Sequence, residues 1–161
     1  MYDLNGSSLK VLSVVKDLGV AVDKNLRFDN HISSVVHKSL QRANLILKCF
    51  QSRDRNLLMK AFKVYVRPLL EYATPVWSPH FMYLILKIEH VQRSFTKRLF
   101  GLKNLTYIDR LKQLEIDTLE HRRLIYDLCT CFKIIHGYND TCLVMKKTTL
   151  KDGQITLGVI I

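Results

Sequence analysis

Lys60, Lys63 and Arg67 stand at i, i+3 and i+7, so on a helix they form one cationic stripe. Arg93 and Lys97 repeat the motif four residues apart, in a row with Glu89. Cations at this spacing suit contact with the backbone of a polyanion, whether a nucleic acid or an anionic membrane. The charge distribution points the same way. Between His37 and Lys112 there are 15 Lys and Arg against four acids, while the remainder of the 161-residue chain is neutral and the total is +11. The plainer use of such a stripe is a well-solvated face.

Other chemistry finds little support. Cys129-x-Cys131 with His136 and Cys142 contains zinc-ligand residue types, but the pair falls on an amphipathic helix where Cys129 and Phe132 read as core. His31 and His37 stand six apart, which is not a helical ligand pair; they read as a cap neighbour and a surface residue. Asp17, Asp23 and Asp29 are isolated carboxylates beside Lys16, Lys24 and Arg27, suited to turns and caps. No Gly-rich phosphate loop and no Ser-His-Asp arrangement is visible. With 48% hydrophobic residues the composition is globular. No stretch approaches the ~18 apolar residues of a membrane span, and the start lacks the regions of a signal peptide. The expectation is an intracellular protein, nuclear or cytoplasmic and not secreted, with no membrane partner and four cysteines outside any disulfide framework.

The elements that would position the stripes follow from periodicity. Asn5-Gly6 is a two-residue hairpin signal between Tyr2–Leu4 and Leu9–Val15, and Leu18–Val22 alternates like a third strand with small Gly19 and Ala21 on one face. From Asp29 the period becomes helical. A first helix, capped by Asp29 or Asn30, turns Ile32, Val36, Leu40, Ala43, Leu47 and Phe50 inward. A second, capped by Asp54, turns Leu58, Phe62, Tyr65 and Leu69 inward and is interrupted at Pro68, before a loop at Thr74–Pro79. Trp77, between two prolines, reads as packing that loop against its own helices; stacking on a base is the other use of Trp77 and Tyr72. A third helix spans about 81–100 with Leu84, Ile88, Val91 and Phe95 inward. A short one covers Tyr107–Leu114, and the last, opened by Asp117 and Glu120 at capping-box spacing, turns Ile125, Leu128, Phe132 and Ile135 inward before His136-Gly137. The fold class expected is mainly α, a helical bundle preceded by a small N-terminal β-hairpin or strand element. The divisions are 1–28, 29–104, a helical extension over 105–137, and a tail over 138–161 expected to be poorly ordered and without a role.

A series of short motifs then carries a resemblance. Lys16-Asp17-Leu18-Gly19-Val20, Leu26-Arg27-Phe28 with His31-Ile32, Tyr65-Val66-Arg67-Pro68 with Leu70-Glu71-Tyr72-Ala73, and Val76-Trp77-Ser78-Pro79 come in order. They continue through Glu89–Lys97, Tyr107–Leu111 and Leu119–Arg123. Together, over roughly Tyr2 to Gly137, they resemble the region after the polymerase core in jockey-like, non-LTR (LINE-type) retrotransposon reverse transcriptases.

The resemblance implies that Leu18, Gly19 and Val20 belong to a primer-grip region and that the helices after them form a thumb-like three-helix bundle. Its partner would be the RNA/DNA template–primer duplex, held through phosphates by Lys38 and Arg42 on the first helix, Lys60, Lys63 and Arg67 on the second, and Arg93, Lys97 and Arg98 on the third. The family's chemistry needs paired carboxylates on two metal ions in a palm domain. No Asp-Asp pair occurs in this chain, so no catalytic residue, metal site or cofactor is expected here; Mg2+ would belong to the missing palm, a second expected partner. The chain alone is expected to be inactive as an RNA-directed DNA polymerase. A helical relic or domesticated interaction module, with no specific use for its basic surface, is the alternative.

Overall fold

The computed structural model describes residues 12–138, with the backbone of two short strand pairs outside them, β1 (Asp3–Leu4) with β2 (Ser7–Ser8) and β5 (Thr148–Thr149) with β6 (Ile155–Thr156). Between them come a hairpin of β3 (Val14–Asp17) and β4 (Val20–Asp23), then helices α1 (Asp29–Cys49), α2 (Arg55–Tyr65), α3 (Arg67–Glu71), α4 (Thr74–Trp77), α5 (Met82–Lys97), α6 (Tyr107–Leu114) and α7 (Leu119–Ile135). The protein is mainly helical with a small antiparallel β element at its start. Among the described residues no helix is long and apolar enough to cross a membrane. The chain divides into two compact units, Met1–Leu124 and Ile125–Ile161.

The β element differs from the expected one. The Asn5-Gly6 turn lies outside the described residues, although Leu4 pairs with Ser7 on either side of it. Leu18 and Gly19 are not strand. Asp17 pairs with Val20, which leaves them as a two-residue turn with φ of 44° and 90°. Positive φ at both central positions is what a type I′ turn needs, and its twist matches the strands it joins. Leu18 is consequently 84% exposed, whereas Val20 is buried. Two side chains tie the hairpin down. The Tyr72 hydroxyl donates to the Leu18 carbonyl at 2.9 Å, and His31 Nδ1 accepts from the Ala21 amide at 3.2 Å. His31 is therefore a buried core residue, edge-on to Trp77 with ring centroids 5.2 Å apart, and not a cap neighbour. Burial, and then the positive charge of Lys38, hold its pKa below the ordinary value.

The start of α1 is organised by Asp23. Its carboxylate accepts from the amides of Asn25, Arg27 and Phe28, and Phe28 takes the cap position at φ 59° with no side-chain cap, so neither Asp29 nor Asn30 plays that part. Burial alone would raise the Asp23 pKa; the three amides outweigh it and hold it below the usual carboxylate value. Asp54 does cap α2, accepting from the Asn56 amide at 3.0 Å. The break at Pro68 is present as well, with α2 ending at Tyr65 and α3 restarting at Arg67.

Three polar ties fix the main helix pair. Tyr83 donates to Asp29, Lys87 to Ser33 and Arg98 to Asn44. Each joins residues 54 apart in sequence, so α1 and α5 run parallel and the segment between them must return the length of the pair. The core between these helices and the returning segment holds Ile32, Val36, Ala43, Phe62, Val66, Leu70, Trp77, Ile88 and Phe95, and the same cluster takes in Val20 and Leu119. Phe62 meets Phe95 at 4.6 Å. Trp77 is buried in the core, its indole N–H donating to the Tyr72 carbonyl, but the stretch expected to be a loop from Thr74 is the short helix α4 as far as Trp77.

The inward face of α2 and α3 differs from the expected one. Val66 and Leu70 are buried, Leu69 is half-buried and Tyr65 is 53% exposed, because the buried row continues from Leu58 and Phe62 in steps of four residues, not three. In α7 the cap is Thr118, whose hydroxyl accepts from the His121 amide, rather than Asp117. The face expected to turn inward, Ile125, Leu128, Phe132 and Ile135, is exposed.

Candidate nucleic-acid interface

The expected phosphate-contacting residues do not form one surface. Lys38 and Arg42 are exposed on α1 and, with Gln41, Asn44, Leu45 and Lys48, line a groove of about 530 Å³ whose other wall is Leu69 on α3. Lys48 was not singled out by the sequence, yet its place ten residues after Lys38 completes the basic side. The spacing alone puts the two about 15 Å apart along the axis. Arg98 reaches the same helix, since its guanidinium donates to Asn44, a groove residue, at 2.6 Å.

Lys60 and Lys63 are exposed elsewhere, in a smaller cleft of about 290 Å³ that also contains Leu114 and Glu115. A carboxylate in the cleft offsets part of their charge. Arg67 is not part of their stripe at all. Its side chain is only 11% exposed and lies 4.0 Å from Glu71, while Arg122 holds the same carboxylate with bonds of 2.5 and 3.1 Å. The Arg67 side chain lies beside Glu71 and does not line the cleft of Lys60 and Lys63.

The third-helix row divides too. Lys97 is exposed, but Arg93 lies over the Tyr107 ring at 4.8 Å, so its cation is partly engaged. Glu89, expected outside in that row, is buried. One of its oxygens accepts from the Tyr107 hydroxyl and the other from the Leu119 amide at 3.0 Å, at the first residue of α7. Gln92 completes the cluster, donating to the Tyr107 hydroxyl at 3.1 Å and to the Asp117 carbonyl at 2.8 Å. Burial, reinforced by Glu89, pushes the Tyr107 pKa well up, so the phenol stays protonated and donates. Buried Arg110 donates to the Arg93 carbonyl, and desolvation lowers its pKa. These side chains lock α5, α6 and the start of α7 together.

Leu18 and Gly19 form the tip of the hairpin, and Val20 is the first residue of β4. Tyr72 approaches Gly19 closely, and its ring would lie 3.6 Å from a Cβ at that position. Among the described residues no group of three or more His, Cys, Asp or Glu is placed to hold a metal ion. Cys129 and Cys131 are free and exposed, so Cys129 is not the core residue its helical position suggested; Cys142 lies outside the described residues.

A search of curated proteins finds an uncharacterized protein of Caenorhabditis elegans that is 32% identical over 126 residues. The match covers 76% of this chain and 64% of that protein, so the chain spans about two thirds of the relative's length. No protein-family model matches the chain. No solved structure matches it.

Proposed function

We propose that the chain binds the sugar–phosphate backbone of a template–primer duplex, as the primer-grip and thumb part of a LINE-type reverse transcriptase whose catalytic carboxylates lie on a palm outside this sequence. The observation that carries this reading is the α1 groove. Lys38, Arg42 and Lys48 line it, all exposed, and no carboxylate pairs with them among the described residues. A row of unpaired cations beside a concave wall suits a strand of phosphates and reads no sequence. Lys60 and Lys63 are the secondary contact, weakened by Glu115; Lys97 and Arg98 extend the basic surface at the far end of α5.

Fluorescence anisotropy with an RNA–DNA hybrid across a salt series tests it. Binding should weaken steeply with salt, and Lys38→Ala, Arg42→Ala and Lys48→Ala combined should flatten the slope by about two to three units. Lys60→Ala with Lys63→Ala should change it less. Undetectable binding of the intact chain at low salt would overturn the reading and leave the interaction module as the better one.

A further inference from the structure

The distal half of α7 carries an apolar seam that the nucleic-acid reading does not use. Ile125, Leu128, Phe132 and Ile135 follow the 3-4-3 spacing of the a and d positions of a two-helix seam. All four are open, at 43%, 60%, 54% and 58% exposure. Tyr138 prolongs the patch, its ring stacked on that of Phe132 with centroids 6.3 Å apart. Cys129 and Cys131, exposed and free, occupy the flanking e and g positions.

We propose that this face pairs two copies of the chain, α7 against α7, in a symmetric dimer. Two observations favour a second copy as the occupant. Fully covered on both copies, the open surface of these five side chains would amount to on the order of 1,000 Å² in a symmetric pair, the size at which specific interfaces begin. Charge agrees with this. The chain carries +11, yet the formal charges between Ile125 and Tyr138 are one acid, Asp127, and one base, Lys133. Here like-charge repulsion does not oppose self-association, as it would on the basic face of α1. An isologous contact also closes on itself and gives dimers, not filaments.

Sedimentation of the full chain from about 1 to about 300 µM, in roughly 0.5 M salt so that nucleic acid cannot bridge copies, tests the proposal. The average mass should rise from one chain toward two, with a dissociation constant of micromolar order as befits a small interface. Leu128→Glu with Phe132→Glu should hold the chain at one copy and, at about 1 µM where the parent is also a single chain, leave its melting temperature unchanged, since both positions are exposed there. A second readout needs no substitution. Alkylation of Cys129 and Cys131, followed by mass spectrometry, should slow as concentration rises while alkylation of exposed Cys49 on α1 does not. A single-chain mass at every concentration overturns the dimer, and so does a dimer that survives the double substitution. Slow alkylation of the pair even when dilute would mean that the chain covers its own seam, which also overturns it. Because nucleic acid is excluded, the outcome does not depend on whether the α1 groove binds phosphates.

Discussion

α1 and the distal half of α7 present the same kind of apolar row and meet opposite fates. Ile32, Val36 and Ala43 on α1 are covered by the parallel helix α5 and the segment that returns to it, whereas Ile125, Leu128, Phe132 and Ile135 on α7 stay open. Helical periodicity specifies that a face exists and which residues compose it. What covers the face is decided by residues far away in sequence. On α1 that is α5, 54 residues on; on α7 we assign the role to another chain.

The largest contrast should come from truncating one aromatic on each row. Phe95→Ala removes a ring with no exposed surface that packs on Phe62, and should cost about 3–5 kcal/mol in urea unfolding; Phe132→Ala, measured at dilute concentration, should stay within about 0.5 kcal/mol. Similar losses at the two sites would erase the distinction. Next is the polar lock at the root of α7. Glu89→Ala should cost about 2–3 kcal/mol, because the Tyr107 hydroxyl and the Leu119 amide lose their acceptor, and hydrogen exchange should quicken in α6 and the first turn of α7 while α1 keeps its protection. Uniform loss of protection would show that the lock holds the whole bundle and not only this corner.

The smallest effect should be a pH dependence at His31. Its folded pKa lies below the ordinary value of about 6.5, so the unfolded chain takes up the proton first. The stability that neutral His31 supplies is complete above about pH 6.5 and declines as pH falls below it, since protonating Nδ1 also ends its acceptance of the Ala21 amide. Urea midpoints between about pH 5 and pH 8 should therefore fall less steeply on the acid side for His31→Asn than for the parent chain. Equal slopes would show that the hairpin tolerates a charged imidazole.

Local signals were legible in the sequence where a single residue enforces them. Asp54 caps α2, Pro68 splits the second helix, and the short helix runs from Tyr107 to Leu114 as its periodicity indicates. Legibility failed where the deciding partner is distant. Glu89 reads as one charge in an exposed row because its partners, Tyr107 and Leu119, lie 18 and 30 residues away. Arg67 reads as a member of a cationic stripe because Arg122, which shares Glu71 with it, is 55 positions on. Leu18-Gly19 fits strand alternation equally well as a turn, and only the pairing of Asp17 with Val20 decides between them. Of the candidate site, the α1 cations are visible in the sequence, but the wall that makes a groove of them is not, since helical periodicity places Leu69 inward.

The parallel arrangement of α1 and α5 bears on how the chain is made. A helix in a hairpin finds its neighbour within a few residues of leaving the ribosome, but α1 must wait until Arg98, which bonds Asn44, has been synthesised. Until then Ile32, Val36 and Ala43 have no permanent cover from α5. Contacts of this sequence separation are also slow to close in a complete chain. Nascent or truncated chains that stop before α5 should therefore be the forms most prone to aggregate, whatever the stability of the finished fold.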